Sequence, residues 1–143
     1  MSGRQRQGRQ VELPRVVLDT GALIALDEQH PVARAWGIVA AAAVAERRLY
    51  IPAVVVAEWW RGDNRAHHRN AKMFKVEPVT EVIAKSAGEA LKTYSKDRRI
   101  TAALTIDAIV MATAASLGAV VYTSDFEDLD RFTRFFDVRV FTI

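Results

Sequence analysis

The sequence predicts an α/β fold of three layers, with helices on both faces of a central parallel sheet of about five strands. Two features of the 143-residue chain support this fold class. Short runs rich in Val, Ile and Leu alternate with longer segments of helical periodicity, as in repeated strand–helix–strand units. The short runs are apolar at almost every position, which is typical of strands that are buried on both faces.

The first part of the chain is predicted to form two strands and three helices. Val16 begins the first apolar run, and Thr20 is expected to cap the helix that follows it. Pro31 is expected to open the next helix, since proline fits the first helical turn. Pro52 stops the second strand, and Gly62 ends the helix after it. The predicted elements are strands 16–19 and 49–51 and helices 20–26, 31–48 and 53–61.

The second part is predicted to form three more strands, separated by helices. Val82, Ile83, Ala87 and Leu91 recur at the spacing of a helix that buries one face. Gly118 follows an apolar helix at the position where a left-handed residue is usual. The predicted strands are 119–123, 138–143 and a short strand within 74–79. The predicted helices are 64–72, 80–96, 105–117 and 127–135, the third of which starts at residue 105 or 106.

Length and charge indicate a single domain that is preceded in the chain by a basic arm. One hydrophobic core suffices for 143 residues, of which 50% are hydrophobic. Residues 1–15 carry four arginines against one glutamate, whereas the remainder carries 16 basic and 16 acidic residues. We therefore expect residues 1–14 to form a flexible basic arm and residues 15–143 to form the domain. A neutral domain does not by itself indicate a nucleic-acid-binding protein.

Composition also limits the compartment and the kind of metal site. The chain contains no cysteine, which excludes a disulfide framework and a thiolate metal site and is compatible with a reducing cytoplasm. The polar N-terminus lacks the apolar region of a secretory signal. The longest apolar stretch, residues 35–45, is shorter than the roughly 20 residues that a membrane-spanning helix requires. We therefore expect a cytoplasmic protein.

Four acidic residues occur within otherwise apolar sequence, namely Asp19, Glu58, Asp107 and Asp125. Folding partly desolvates a carboxylate in such a context, which is costly unless the group is paired or its pKa rises. Asp19 and Asp125 follow predicted strands, and parallel α/β sheets bind ligands at the carboxyl ends of their strands. Glu58 and Asp107 lie on helices that can reach the same edge. We therefore predict that the four carboxylates share a divalent cation, and that the chemistry is metal-dependent.

Each acidic residue also has a purely structural interpretation. Asp19 and Asp125 could each cap a helix, and Asp107 could be a favourable charge in the first turn of its helix. Glu58 could form a surface ion pair with Arg61. The four positions together favour the shared metal site, because all of them fall at the same predicted edge of the sheet. Hydroxyl groups that could support these carboxylates belong to Thr20, Thr123 and Ser124.

Four motifs of the chain resemble the PIN domain and, within that family, the VapC-type toxins of prokaryotic toxin–antitoxin pairs. They are Val16-Val-Leu-Asp-Thr-Gly-Ala-Leu-Ile-Ala-Leu26, Val56-Ala-Glu-Trp-Trp-Arg-Gly62, Thr105-Ile-Asp-Ala-Ile-Val-Met-Ala-Thr-Ala114 and Leu117-Gly-Ala-Val-Val-Tyr-Thr-Ser-Asp125. The resemblance covers about residues 15–143. One departure is Gly21, since many relatives have Ser after the Asp-Thr pair, and the change removes a potential hydrogen bond to the site.

The resemblance implies a PIN-like fold and a Mg²⁺- or Mn²⁺-dependent endoribonuclease. Asp19, Glu58, Asp107 and Asp125 match the acidic quartet of the family, which holds the metal and carries the catalysis. The resemblance also implies that RNA is the substrate, that the protein is a homodimer, and that a cognate antitoxin docks at the active-site groove.

Other classes of protein fit the sequence less well. A phosphatase of the haloacid-dehalogenase type would have a second aspartate at position 21, which is Gly21, and a receiver domain would have a late lysine, whereas the last lysine is Lys96. A catalytically silent PIN-fold module that binds protein or RNA usually lacks one or more of the acids. All four are present here, and the silent module stays the alternative to the nuclease.

Overall fold

The computed structural model describes residues 14–28, 33–94 and 99–143, which contain five strands and seven helices. The strands are β1 (Arg15–Leu18), β2 (Leu49–Pro52), β3 (Phe74–Glu77), β4 (Ala119–Thr123) and β5 (Val140–Thr142). The helices are α1 (Thr20–Asp27), α2 (Ala33–Val44), α3 (Ala53–Trp59), α4 (Arg65–Asn70), α5 (Glu81–Tyr94), α6 (Ala102–Leu117) and α7 (Phe126–Asp130). The predicted α/β class is confirmed.

All five strands pair in parallel, in the order β3-β2-β1-β4-β5. The central strand β1 pairs with β2 on one side and β4 on the other, so that Val16 stands beside Leu49 and Val120. The chain extends the sheet from β1 through β2 to β3 and then adds β4 and β5 on the opposite side. The carboxyl ends of β1 and β4 therefore form the switch point where open α/β sheets bind their ligands.

The three-layer arrangement follows from the burial of the central strand. Val16, Val17 and Leu18 are all buried, although successive residues of a strand point to opposite faces of the sheet. Helices must therefore cover both faces of β1. Helix α6 contacts β1, β2 and β4 and packs along α5, whereas α1 contacts β1, β4, α2 and α3. The predicted central parallel sheet between helical layers is confirmed.

Helix α6 begins earlier than its apolar pattern predicts. The Thr101 hydroxyl accepts a hydrogen bond from the Leu104 backbone N–H and caps a helix that starts at Ala102 instead of at residue 105 or 106. Apolar periodicity misses this first turn because Ala102 and Ala103 are exposed. Asp107 consequently lies in the second turn of α6, and its interpretation as a favourable charge in the first turn is wrong.

Several other predicted helix ends need correction. The N-cap of α1 is Asp19, and Thr20 is the first helical residue. Helix α2 ends at Val44, short of the predicted end at residue 48, because Glu46 has a positive φ of 54° that is incompatible with a helix. The helix predicted over 127–135 ends at Asp130 and continues as turns. Among the smaller differences, α3 ends at Trp59, α4 spans Arg65–Asn70 and β5 starts at Val140, whereas β3 lies within the predicted range of 74–79.

Two predictions for the N-terminal region fall mostly outside the described residues. They are the flexible basic arm over 1–14, of which only Pro14 is described, and the helix start at residue 31. The domain limits of 15–143 stay a prediction. No helix within the described part of the chain is long and apolar enough to cross a membrane.

Two glycines, one within α5 and one just after α6, should respond to substitution in opposite ways. Gly118 ends α6 with a φ of 62°, and Gly118→Ala should lower the free energy of unfolding by about 1–2 kcal/mol because the left-handed region strains an L-residue. A Cβ on Gly88, an exposed residue of α5, would meet no atom within 4 Å. Gly88→Ala should therefore raise the free energy of unfolding by about 0.5–1 kcal/mol. Urea denaturation measures both changes, and equal changes of the same sign would refute this explanation.

Candidate active site

Five acidic side chains line one pocket at the carboxyl edge of the sheet, and four of them are the acids that the sequence indicates. Asp19 follows β1, Asp125 follows β4, Glu58 lies on α3 and Asp107 lies on α6. The pocket has a volume of about 260 Å³, and its other lining residues are Thr20, Gly21, Ile24, Ala103, Ile106, Val110 and Asp128. The structure thus brings together all four acids that the sequence indicates. Their roles in catalysis and metal binding stay predictions.

A larger cleft of about 720 Å³ lies elsewhere, between α2 and the β4–β5 side of the sheet. Arg34 and Arg47 are its charged lining residues, and most of the others are apolar. No carboxylate is among its lining residues within the described part of the chain. The smaller acidic pocket is therefore the better candidate for an active site.

Asp19 is both a helix cap and a pocket residue. Its Oδ1 accepts a hydrogen bond of 2.9 Å from the Ala22 backbone N–H, and its Oδ2 accepts one from the Thr123 hydroxyl. The residue is only 8% exposed, and this burial raises the pKa of Asp19. The two hydrogen bonds lower the pKa but do not cancel the burial, and the neighbouring carboxylates of Asp125 and Glu58 raise it further. The capping interpretation is correct, yet it leaves the carboxylate in the pocket.

The Thr123 hydroxyl connects two of the acidic residues. Besides donating to Asp19, its oxygen accepts a hydrogen bond of 2.8 Å from the Asp125 backbone N–H. Thr123 is fully buried, so these two partners and not bulk water fix the direction of its hydroxyl. The prediction that Thr123 bonds a carboxylate is confirmed.

A hydroxyl group from α1 holds Glu58. Thr20 Oγ1 donates a hydrogen bond of 2.6 Å to Glu58 Oε1, whereas Arg61, the partner expected from sequence, donates to a backbone carbonyl. Helix α3 is fixed to α1 by the Asp27 carboxylate, which accepts hydrogen bonds from the side chains of Trp59 and Asn64 and the backbone of Ala66. Glu58 is exposed, so this anchoring of its helix is what keeps it at the pocket.

Asp125 and Ser124 occupy the turn between β4 and α7, opposite Gly21. Asp125 is at the N-cap position of α7 but makes no capping hydrogen bond, so the capping interpretation is wrong for this residue. A Cβ built on Gly21 would lie 2.0 Å from the Ser124 hydroxyl oxygen and 3.6 Å from Asp125 Oδ2. The space of a side chain at position 21 is therefore filled by a hydroxyl from the other strand end. The absence of a side chain at Gly21 therefore leaves room for the Ser124 hydroxyl.

Asp107 is paired with a basic residue that no sequence motif indicated. Arg131 Nη2 lies 3.3 Å from Asp107 Oδ2 and 3.9 Å from Asp128 Oδ1. Burial raises the pKa of Asp107 to about 7, although Arg131 lowers it, and the carboxylates of Asp128 and Asp19 raise it further. The sequence carried a signal only for the contact of Arg131 with Asp128, because residues three apart in a predicted helix are neighbours on one face.

The four carboxylates fit a hard cation in their chemistry but are not preassembled around one. Among the described residues, no group of three or more His, Cys, Asp or Glu side chains is placed so that it could hold a metal ion as it stands. Carboxylate oxygens are nevertheless the ligands that Mg²⁺ and Mn²⁺ prefer. Burial disfavours the ionised forms of Asp19 and Asp107, and a cation in the pocket would favour them.

Comparison with known proteins identifies the family of this fold. The family model of the PIN domain matches residues 16–134. The chain belongs to the PIN-domain family. All five acids of the pocket lie within the matched part of this PIN domain. Among curated proteins, none matches the sequence significantly.

Solved structures similar to this PIN domain cover almost its whole length. FitAcB from Neisseria gonorrhoeae is 22% identical with a TM-score of 0.62, over 88% of this chain and 96% of that chain. VapBC2 from Rickettsia felis, bound to a DNA fragment from its promoter, is 13% identical with a TM-score of 0.67, over 90% and 98%. VapC20 from Mycobacterium tuberculosis, described as a Sarcin-Ricin loop cleaving toxin, is 22% identical with a TM-score of 0.54, over 81% and 94%. At these identities the similarity concerns the fold.

The raised pKa of Asp107 predicts how the stability of the metal-free PIN domain depends on pH. Its carboxyl group ionises at about 7 in the folded state and near 3.8 in the unfolded state. Between these values the folded state binds more protons, so the free energy of unfolding should fall as the pH rises from about 4 to 7. Asp107→Asn should flatten this dependence in urea denaturation with EDTA, and the exposed control Asp137→Asn should not. An unchanged slope in Asp107→Asn would contradict the assignment.

The packing of Gly21 against Ser124 predicts that the two positions are energetically coupled. Gly21→Ala should lower the free energy of unfolding, because the new Cβ displaces the Ser124 hydroxyl. In a Ser124→Ala background, Gly21→Ala should lower the free energy of unfolding by about 0.5–3 kcal/mol less than it does in the parent chain. This range is typical of the interaction energy between two residues in contact. Strictly additive effects of the two substitutions in urea denaturation would show that the hydroxyl does not fill this space.

Proposed function

We propose that this PIN domain is a metal-dependent endoribonuclease and acts as the toxin of a toxin–antitoxin pair. The observation that carries the proposal is the convergence of Asp19, Glu58, Asp107 and Asp125 on one pocket at the carboxyl edge of the sheet. Four carboxylates alone repel the phosphodiester of RNA, and a bound cation reverses the local charge. The proposal therefore places the metal and the substrate in the same pocket.

The metal is proposed to be Mg²⁺, for which Mn²⁺ can substitute, because both prefer oxygen ligands. Asp19, Asp107 and Asp125 would hold the main ion, and Glu58 would position water or share a second ion. Such an ion, when bound, activates water and stabilises the negative charge of the transition state. Arg131 contacts Asp107 through Oδ2 alone, so that Oδ1 could bind the ion, and Asp128, 3.9 Å from the guanidinium, is a second partner for Arg131.

The other polar groups of the pocket position these carboxylates. Thr123 and the Ala22 backbone N–H each hold one oxygen of Asp19, and Thr20 holds one oxygen of Glu58. Hydrogen bonds of this kind orient ligating carboxylates, and their loss typically costs about 10–100-fold in metal affinity or activity. We infer that the hydroxyl groups support the chemistry without touching the substrate.

Water is proposed as the nucleophile in place of the 2′-hydroxyl of the RNA. Hydrolysis by water leaves a 5′-phosphate and a 3′-hydroxyl, because the bond between phosphorus and the 3′-oxygen breaks. Attack by the 2′-hydroxyl would leave a 2′,3′-cyclic phosphate instead. The chemical ends of the RNA fragments therefore distinguish the two routes.

The toxin assignment and the partners rest on similarity to other proteins. The four motifs resemble VapC-type toxins, and VapC20, which has a similar fold, is described as a Sarcin-Ricin loop cleaving toxin. RNA as the substrate of this chain follows by analogy. The same resemblance leads us to propose a cognate antitoxin that docks at the active-site groove, a homodimer, and a cytoplasmic location.

A catalytically silent PIN-fold module that binds protein or RNA is the second candidate. The contact of 3.3 Å between Asp107 and Arg131 favours it, because an arginine can neutralise the acid without a metal. The presence of all four carboxylates in one pocket favours the nuclease. The two candidates differ in one measurable property, which is metal-dependent cleavage of RNA.

Cleavage of total cellular RNA by the purified full chain, freed of any antitoxin, tests the proposal. We expect discrete fragments with Mg²⁺ or Mn²⁺, no cleavage with EDTA, and 5′-phosphate ends. Asp107→Asn should abolish cleavage and retain the fold, because it removes an anionic ligand but keeps the shape of the side chain. The matched control Asp137→Asn changes an exposed acid that does not line the pocket, and it should cleave like the parent.

Three results would each overturn part of this proposal. No cleavage by well-folded protein across metals and RNAs would favour the silent binding module. Cleavage that persists in EDTA would refute the metal dependence. Fragments with 2′,3′-cyclic phosphate ends would refute water as the nucleophile.

A further inference from the structure

A second cleft of about 330 Å³ contains arginines and aromatic side chains but no acid among its described lining residues. We call it the basic cleft. Thr93 and Tyr94 at the end of α5 form one wall, and Arg131, Arg134 and Phe135 in the turns after α7 form the other. Its charge is therefore opposite to that of the acidic pocket.

Arg131 forms the boundary between the basic cleft and the acidic pocket. Its Nη2 lies 3.3 Å from the carboxylate of Asp107, which lines the acidic pocket. Its guanidinium carbon lies 5.6 Å from the centre of the Tyr94 ring, on the side of the basic cleft. A ligand in the basic cleft is therefore one side chain away from the four carboxylates.

The chain after α7 places both arginines on the same side. Residues 131–135 continue in turns, including a hydrogen bond of 3.0 Å from the Phe135 backbone N–H to the Phe132 carbonyl. In such helical turns, side chains three residues apart, such as Arg131 and Arg134, are neighbours. Phe132 is fully buried and anchors this segment to the core, so the arginines project from a fixed support.

The groups in the basic cleft match the chemistry of a nucleotide. A guanidinium group binds phosphate oxygens with two parallel hydrogen bonds, and aromatic faces accept stacked bases of single-stranded nucleic acid. Phe135 is partly exposed and provides such a face. Arg131 is already shared with Asp107, whereas Arg134 is exposed and takes part in none of the ion pairs among the described residues. Arg134 is therefore available for a phosphate.

We propose that the basic cleft binds a nucleotide of single-stranded RNA next to the bond that is cut in the acidic pocket, with Arg134 on its phosphate. This inference rests on the proposed function, because it specifies where the same substrate continues beyond the carboxylates. Arg134 is a substrate-binding residue in this arrangement and takes no part in bond cleavage.

Binding of RNA by the full chain tests the basic cleft separately from cleavage. A fluorescein-labelled, 12-nucleotide single-stranded RNA is titrated in a Glu58→Gln background with EDTA, in which we expect no cleavage. The anisotropy of the label is followed across a range of salt concentrations. Arg134→Ala should weaken binding about 10-fold and reduce the slope of log K against log salt by about 0.7, the value for one phosphate contact on a single strand. Arg134→Lys should lose less affinity than Arg134→Ala, since lysine keeps the positive charge but cannot form the two parallel hydrogen bonds of a guanidinium.

Arg48→Ala is the matched control, because it removes the same exposed charge at the residue before β2, on the amino edge of the sheet. It should leave affinity and salt slope unchanged. Equal losses in Arg48→Ala and Arg134→Ala, or no change in Arg134→Ala, would overturn the inference. If the parent chain binds RNA through Arg134 but never cleaves it, the proposed nuclease activity is refuted and RNA binding by the basic cleft is supported. If the parent chain cleaves RNA and Arg134→Ala leaves the KM unchanged, RNA binding by the basic cleft is refuted and the proposed nuclease activity is supported.

Discussion

One hydrogen bond between the ends of two neighbouring strands organises the acidic pocket. Thr123 at the end of β4 donates to Asp19 just after β1, across 104 residues of sequence. Both residues are buried, so each would keep an unsatisfied polar group in the interior without the other. The same hydroxyl accepts from the Asp125 backbone and thereby sets the turn into α7. The parallel pairing of β1 with β4 supplies this contact, and the pocket depends on it.

Electrostatic compensation in this protein is local. The buried carboxylate of Asp19 accepts hydrogen bonds from a hydroxyl and a backbone N–H. The half-buried carboxylate of Asp107 pairs with a guanidinium. The carboxylate of Asp27, also half-buried, accepts hydrogen bonds from an indole, a side-chain amide and a backbone N–H. At Asp27 these partners suffice to join three helices. At Asp19 and Asp107 they are outweighed by burial, as the raised pKa values of both groups show. Asp19 and Asp107 both line the acidic pocket, and perturbed pKa values of this kind cluster at functional sites.

The fold class and the convergence of the acids could be predicted because both depend on local patterns. Apolar runs identify the strands, and residues that follow parallel strands meet at one edge of the sheet. The pairing of Asp107 with Arg131 was beyond such patterns, since it depends on how the segment after α7 packs beside α6. The contact of Gly21 with Ser124 likewise joins segments that are distant in sequence. The Thr101 cap did have a local signal, but the exposed first turn of α6 concealed it from apolar periodicity.

The order of strands in the sheet determines when the pocket can form during synthesis. β1, β2 and β3 leave the ribosome first, yet the central strand β1 acquires its second neighbour only after β4 has emerged. Contacts between segments far apart in sequence form late, because a long loop must close before they can contribute. A nascent chain that ends before β4 contains neither Thr123 nor Asp125 and has no complete pocket. A complete pocket can therefore form only after the segment that contains Thr123 and Asp125 has left the ribosome.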